Sequence, residues 1–157
     1  MRLYILQGSL DWHDKIIGAN AVETLDELYS CADFISFNCP LTEETKGIID
    51  FKAAYLSSKK PLSIINTARG CLSPSICEIC EAIREGLIYS YDTDELPCEP
   101  PSTMEPELLR DPLIRSRLTV TPHTAFYSQE SFLEMRSKAA LNLVAEMHLH
   151  ENSYQIL

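Results

Sequence analysis

The sequence predicts an α/β fold, a parallel sheet with flanking helices. Three observations predict it. Short runs rich in β-branched and aromatic residues alternate with segments of helical spacing, the pattern of strand–helix–strand units. Several strand-like runs, LSII among them, are apolar almost without a break, as happens when both faces of a sheet are covered. The 157 residues, 45% of them apolar, suffice for one domain with a real core.

In chain order, RLYIL (2–6) predicts a strand that Gln7-Gly8-Ser9 ends. ETLDELYSC (23–31) places Leu25, Leu28 and Tyr29 at helical spacing. FISFNC (34–39) is a strand bounded by Pro40. DFKAAYLS (50–57) is a short helix with Asp50 as its N-cap. LSIINTA (62–68) is a strand, and Ser73-Pro74 then offers a helix start, with serine capping free amides and proline in the first turn. The helix ICEICEAIRE runs to Gly86, a common stop. LIYSYD (87–92) and RLTVTP (117–122) are further strands, and the proline-rich segment 97–112 is a loop with some structure of its own. From Tyr127 to about His150 the pattern predicts a long amphipathic helix with Phe132, Met135, Ala139, Leu143 and Met147 on its apolar face. The exposed part of that face is a dimerisation or aggregation risk.

A net charge of −10 argues against nucleic acid as a partner, because phosphate binding needs a basic face. No apolar run approaches the roughly 20 residues of a membrane span, so no membrane partner is expected. Six cysteines without a preceding signal peptide predict a cytoplasmic protein with reduced thiols. Cys77 and Cys80 form a CxxC pair in a predicted helix. Packing is the favoured role, with metal or redox chemistry as the alternative. No metal site is assigned.

Ligands of such sheets bind at the carboxyl ends of the strands. Arg69 follows 62–68, Asp94 and then Glu99 follow 87–92, and His123 follows 117–122. Singly, each has a bland explanation: a surface ion pair, a solvated acid, a capping or core histidine. Together they form a chemical set. Histidine exchanges a proton near neutral pH, a carboxylate beside it fixes its tautomer, and arginine grips a carboxylate with two parallel hydrogen bonds. His13, His148 and His150 have no such placement and are expected at the surface.

INTARG, a helix, D-x-x-P-x-E-P and TPH-x-A, in this order, resemble the NAD-dependent D-2-hydroxyacid dehydrogenases. TPHTAFYSQESFLEMR resembles most closely their C-terminal binding protein branch, the corepressors, although Phe126 stands where those carry tryptophan. The resemblance covers about residues 20 to 148. It implies a Rossmann-like sheet, divided into a partial dinucleotide-binding domain (1–126) and a C-terminal helix and tail (127–157) that pack toward a substrate domain. It implies that Arg69 binds the substrate carboxylate and polarises the keto group, that His123 is the general acid or base, and that Glu99 hydrogen-bonds that histidine. It also implies a cofactor site of Cys39, Pro40, Thr42 and Thr45 beside the adenosine and ribose, with Thr67, Ala68, Asp94, His123 and Ala125 near the nicotinamide.

The departures from that pattern are as definite. The sequence contains no GxGxxG; Gly8 and Gly18 are isolated. RLYIL resembles the family's second strand, with Gln7 where the ribose-binding acid belongs and Asp11 as a shifted substitute, so NAD is the expected cofactor and NADP the alternative. Cys71, Ser73 and Pro74 replace the usual GLVDE-like run. The first βα unit is therefore expected to be missing and the isolated chain to be a weak or inactive reductase of 2-keto acids. The alternatives are a corepressor-like scaffold that senses NAD(H), binds a protein partner and works in the nucleus, or a non-functional truncated product.

Overall fold

The computed structural model describes residues 3–6, 16–97 and 110–149, and the chain divides into two compact units, 1–122 and 123–157. The first unit holds β1 (Leu3–Leu6), β2 (Ala19–Val22), α1 (Leu25–Cys31), β3 (Phe34–Phe37), α2 (Phe51–Ser57), β4 (Leu62–Asn66), a 3-10 turn (Gly70–Leu72), α3 (Ile76–Arg84), β5 (Ile88–Thr93), α4 (Pro112–Arg117) and β6 (Leu118–Val120). The second holds α5 (Gln129–Leu149). The α/β expectation holds: β1 and β2 pair in parallel, and β3-β4-β5-β6 form a second, four-stranded parallel sheet. Two elements had no sequence expectation, β2 and α4.

The larger sheet is built in rows. Ile35, Ile64, Tyr91 and Leu118 stand side by side, and so do Phe37, Asn66, Thr93 and Val120. These two rows share one face. Ile35, Ile64 and Tyr91 are buried there with Phe51 of α2, Ile79, Cys80 and Ile83 of α3, and Ile114 of α4. The Phe51 ring meets Tyr91 edge to face at 6.0 Å. Each fully buried isoleucine contributes about 2–3 kcal/mol by leaving water. The opposite face is more open. Ser36 is exposed, Ile65 is half-buried and Phe34 keeps 72% of its surface. Hence β3 alternates exposed and buried residues, as an edge strand does, whereas β4 is buried nearly throughout.

Four helix starts are closed by their own side chains. Thr24 accepts from the Glu27 amide at 3.2 Å. Asp50 accepts from the Lys52 and Ala53 amides at 2.9 and 3.0 Å, the cap the sequence predicts. Asp111 accepts from the Leu113 amide at 2.9 Å, with Pro112 in the first turn. The expected cap at Ser73 is corrected to Ser75, which forms a capping box with Glu78. The residue before a proline avoids the helical region, and Ser73 is extended, with ψ 162°. Its hydroxyl donates instead to the Gly70 carbonyl at 2.8 Å. The expected shared face of Cys77 and Cys80 is likewise corrected: Cys80 is in the core and Cys77 is exposed. On α5 the single apolar stripe is not found. Leu133, Leu141 and Val144 are as exposed as Met135 and Leu143, so apolar residues surround the helix. Met147 lies outside the described side chains.

The Tyr29 hydroxyl is buried beside the Asp50 backbone without a hydrogen-bond partner among the described residues. Burial pushes its pKa up to about 12. Folding therefore favours the neutral phenol. The unfolded phenol ionises near pH 10, so stability is lost as pH rises from about 10 to about 12. Tyr29→Phe is expected to remove that alkaline loss and to change stability at pH 7 little, because the hydroxyl makes at most a weak contact with the Asp50 backbone. Urea titrations at pH 7 and pH 11 check both.

Candidate functional site

The row Asn66, Thr93, Val120 brings three strand ends level. The turns that leave β4, β5 and β6 therefore emerge side by side. The Asp94 amide donates to the Asn66 carbonyl at 3.1 Å, and the Thr121 amide donates to the Thr93 carbonyl at 2.9 Å. The Thr121 hydroxyl donates to the Asp94 carboxylate, which is only 4% exposed. Asp94 is thus fixed at the carboxyl edge of the sheet.

Arg69 is delivered to the same edge by a short turn that Asn66 organises. Asn66 is 1% exposed. Its side-chain oxygen accepts from the Ala68 amide at 3.1 Å, and its side-chain nitrogen donates to the Arg69 carbonyl at 3.0 Å and to the Tyr91 hydroxyl at 3.3 Å. Gly70 then passes so close to the chain after β5 that a Cβ would stand 2.3 Å from the Leu96 carbonyl carbon and oxygen. That approach sets the two turns against each other. Arg69 Nη1 donates to Glu95 Oε2 at 2.8 Å, and the Glu95 carboxylate favours the charged guanidinium further. The pair is partly exposed, so its value is mainly geometric. Glu95 holds one corner of the guanidinium, and the Nε–Nη2 edge remains as a fork for a second carboxylate.

The loop after β3 is stapled by its own threonines. The Thr45 hydroxyl donates to the Pro40 carbonyl at 2.7 Å and accepts from the Thr42 amide at 2.8 Å, while the Thr45 amide donates to the Thr42 hydroxyl at 3.2 Å. Cys39 and Thr45 line a groove of about 700 Å³ between β1 and β3. Thr67 is exposed, and its hydroxyl donates to the Asn38 side-chain oxygen at 3.1 Å. Ala68 is half-buried.

In the second unit, His123 is half-buried and has a φ of 52°, uncommon for a side chain with a Cβ. Its ring meets Phe126 edge to face at 6.1 Å. Ala125 lies in the next turn, closed by the Tyr127 amide donating to the Thr124 carbonyl at 2.9 Å. Glu99, Gln7, Gly8, Asp11, His13, Cys98 and His150 lie outside the described residues.

Arg69, Asp94, Thr67 and Ala68 therefore share the carboxyl edge of one sheet. Sequence reasoning missed Glu95 and Asn66. A signal existed for both: Asn66 is the polar end of an otherwise apolar strand, and Glu95 directly follows an acid already singled out.

Over residues 5–125 the chain matches the family described as D-isomer specific 2-hydroxyacid dehydrogenase, NAD binding domain. It is 34% identical over 122 residues to D-lactate dehydrogenase of Leuconostoc mesenteroides subsp. cremoris, covering 73% of this chain and 36% of that one. It is 31% identical over 126 residues to D-3-phosphoglycerate dehydrogenase of Bacillus subtilis (strain 168), covering 80% and 22%. The apo structure of D-lactate dehydrogenase from Escherichia coli is similar with a TM-score of 0.81 and 26% identity, over 100% of this chain and 47% of that chain. The chain spans less than half the length of each.

Proposed function

Because the chain belongs to the D-isomer specific 2-hydroxyacid dehydrogenase NAD-binding domain family, we propose that it is the cofactor-side part of an oxidoreductase acting on the CH–OH group of small 2-hydroxy acids. The observation that carries this reading is Arg69, pinned at one corner by Glu95 with its second fork open at the carboxyl edge of the sheet. In this reading the fork binds the substrate carboxylate through two parallel hydrogen bonds and draws electron density from the adjacent keto group. His123 gives a proton to the keto oxygen in reduction and takes it back in oxidation. Glu99 holds the imidazole in the tautomer that this needs.

The residues suit one end of NAD. The Asp94 carboxylate, the Thr67 hydroxyl and the Ala68 backbone would hold the nicotinamide, with Ala125 following His123. When bound, that ring supplies the hydride, and the protein supplies position and charge. Among the described residues no helix start is open for the diphosphate end. Free amides at a helix start are what bind phosphate, and the starts of α1, α2, α3 and α4 are closed by Thr24, Asp50, Ser75 and Asp111. Two of those caps are acidic. The sequence has no GxGxxG to supply another.

A corepressor-like scaffold remains the other reading of TPHTAFYSQESFLEMR. No feature of the fold favours it, and both curated relatives named above are dehydrogenases, so we take the enzymatic reading.

The isolated chain is expected to turn over slowly. Ordinary dehydrogenases work at about 1–1000 s⁻¹, and here a kcat below about 0.01 s⁻¹ is expected. NADH consumption with glyoxylate, hydroxypyruvate and pyruvate measures it, with Arg69→Ala and His123→Ala as controls. A slow rate lost in both variants supports the assignment. A slow rate indifferent to both contradicts the roles of Arg69 and His123, and an ordinary rate contradicts the expectation that this chain alone holds the cofactor poorly.

A further inference from the structure

Glu95 does more at the Arg69 fork than hold one corner of it. Arg69 follows β4 and Glu95 follows β5, and each backbone is anchored by a buried side chain. The Asn66 side chain donates to the Arg69 carbonyl at 3.0 Å. The Thr93 hydroxyl donates to the Glu95 carbonyl at 2.7 Å. Gly70 lies against Leu96 and keeps the two turns together. The contact of 2.8 Å between Arg69 Nη1 and Glu95 Oε2 therefore joins two fixed points rather than two loose surface chains. The acid is the more buried partner, with 19% of its side chain exposed against 54% for the arginine. The guanidinium is the member of the pair that a ligand can reach, and the carboxylate stands beside it as a fixed counter-charge.

These turns carry more acid than base. Residues 67–75 and 94–97, which leave β4 and β5, hold one cation, Arg69, and two acids, Asp94 and Glu95. Glu95 alone balances the charge of Arg69. A ligand carboxylate on the open fork still gains two directed hydrogen bonds. A second anionic group on the same ligand finds no further cation in these turns and meets the field of both acids. In a small keto acid that second charge stays within about a Debye length of Glu95, about 8 Å at physiological salt, so dissolved ions do not hide one from the other. Discrimination of this kind comes from a repulsive element set against the wrong ligand.

We propose that Glu95 is a specificity-determining residue, which restricts the Arg69 site to 2-hydroxy and 2-keto acids with one carboxylate and an uncharged side chain, and turns away dicarboxylic and phosphorylated ones. The inference rests on the enzymatic reading of Arg69 and adds the charge class of the substrate to it.

The probes are N-oxalylglycinamide and N-oxalylglycine, unreactive 2-keto acid analogues of the same size that differ by one charge at the far end. Both present the same first carboxylate to the fork, so the ratio of their affinities isolates the second charge. Affinities are read by titration from the Arg69 Nε–Hε resonance of the whole ¹⁵N-labelled chain with NADH present. The ligand with the neutral end is expected to bind about tenfold more tightly. Glu95→Gln keeps an oxygen for Nη1 and removes the charge, and is expected to bring the ratio below about threefold. If that variant does not fold, salt decides on the parent chain. The Debye length falls from about 10 Å at about 0.1 M to about 3 Å at about 1 M, and the ratio is expected to fall with it. Equal affinity for the two ligands in the parent chain, a ratio unchanged in Glu95→Gln, or a ratio indifferent to salt overturns the proposal alone. An Arg69 resonance that neither ligand moves overturns it together with the enzymatic reading.

Discussion

Gly70→Ala is expected to destabilise the first unit by about 3 kcal/mol or more, seen as a lower urea midpoint with little change in slope. The cause is neither entropy nor a left-handed backbone. A methyl group at this position would stand 2.3 Å from two backbone atoms of Leu96 and 2.6 Å from the Pro97 nitrogen. Those atoms belong to the turn that carries Glu95, so they cannot retreat as a flexible side chain would. Relief requires the 3-10 turn and the turn after β5 to separate, and that separation also breaks the Arg69–Glu95 pair. A midpoint within experimental error of the parent protein would show that the close approach is not enforced.

Asn66→Leu is expected to cost about 2 kcal/mol, by a different route. Leucine matches the volume and suits the apolar strand, so no cavity is created. Three polar groups lose a hydrogen bond instead: the Ala68 amide loses its acceptor, whereas the Arg69 carbonyl keeps the Leu72 amide at 3.1 Å and the Tyr91 hydroxyl keeps Ser73 and Thr93. Leaving such groups unpaired costs about 1–3 kcal/mol each where they are buried, and less where water reaches them. The half-buried Ala68 amide is the group left unpaired, and it carries most of the cost. The readout is again the urea midpoint. Asn66→Asp keeps the acceptor for Ala68 but not the two donated bonds, so it is expected to lie between the parent and Asn66→Leu.

These two positions show what was legible in the sequence. LSII declares a strand because its residues are branched and apolar, and Arg69 declares the end of it because a charge cannot continue into a core. From those local facts the sheet edge and much of its chemistry can be read. β2 escaped because ANAV has two alanines and an asparagine and no strand-like excess of branched residues; its place comes from pairing with β1. α4 escaped because its six residues come after a proline-rich segment whose composition argues for loop. The Ser73 cap was misplaced by two residues because Pro74 keeps its predecessor extended. The need for glycine at position 70 depends on which turn meets which across the sheet, and no local pattern carries that information.

The central claim is that the Arg69 fork receives the substrate carboxylate. The direct measurement is the Nε–Hε resonance of Arg69 in ¹⁵N-labelled protein with NADH present, assigned by its loss in Arg69→Lys. The titrants are oxamate, an unreactive 2-keto acid analogue with a carboxylate, and oxamide, its neutral counterpart. Arg84, whose Nε already donates to Asp111 at 2.9 Å, serves as the internal reference. The predicted result is a saturable shift of Arg69 with oxamate, absent with oxamide and absent at Arg84. Saturable oxamate shifts elsewhere in the protein with Arg69 unmoved would contradict it.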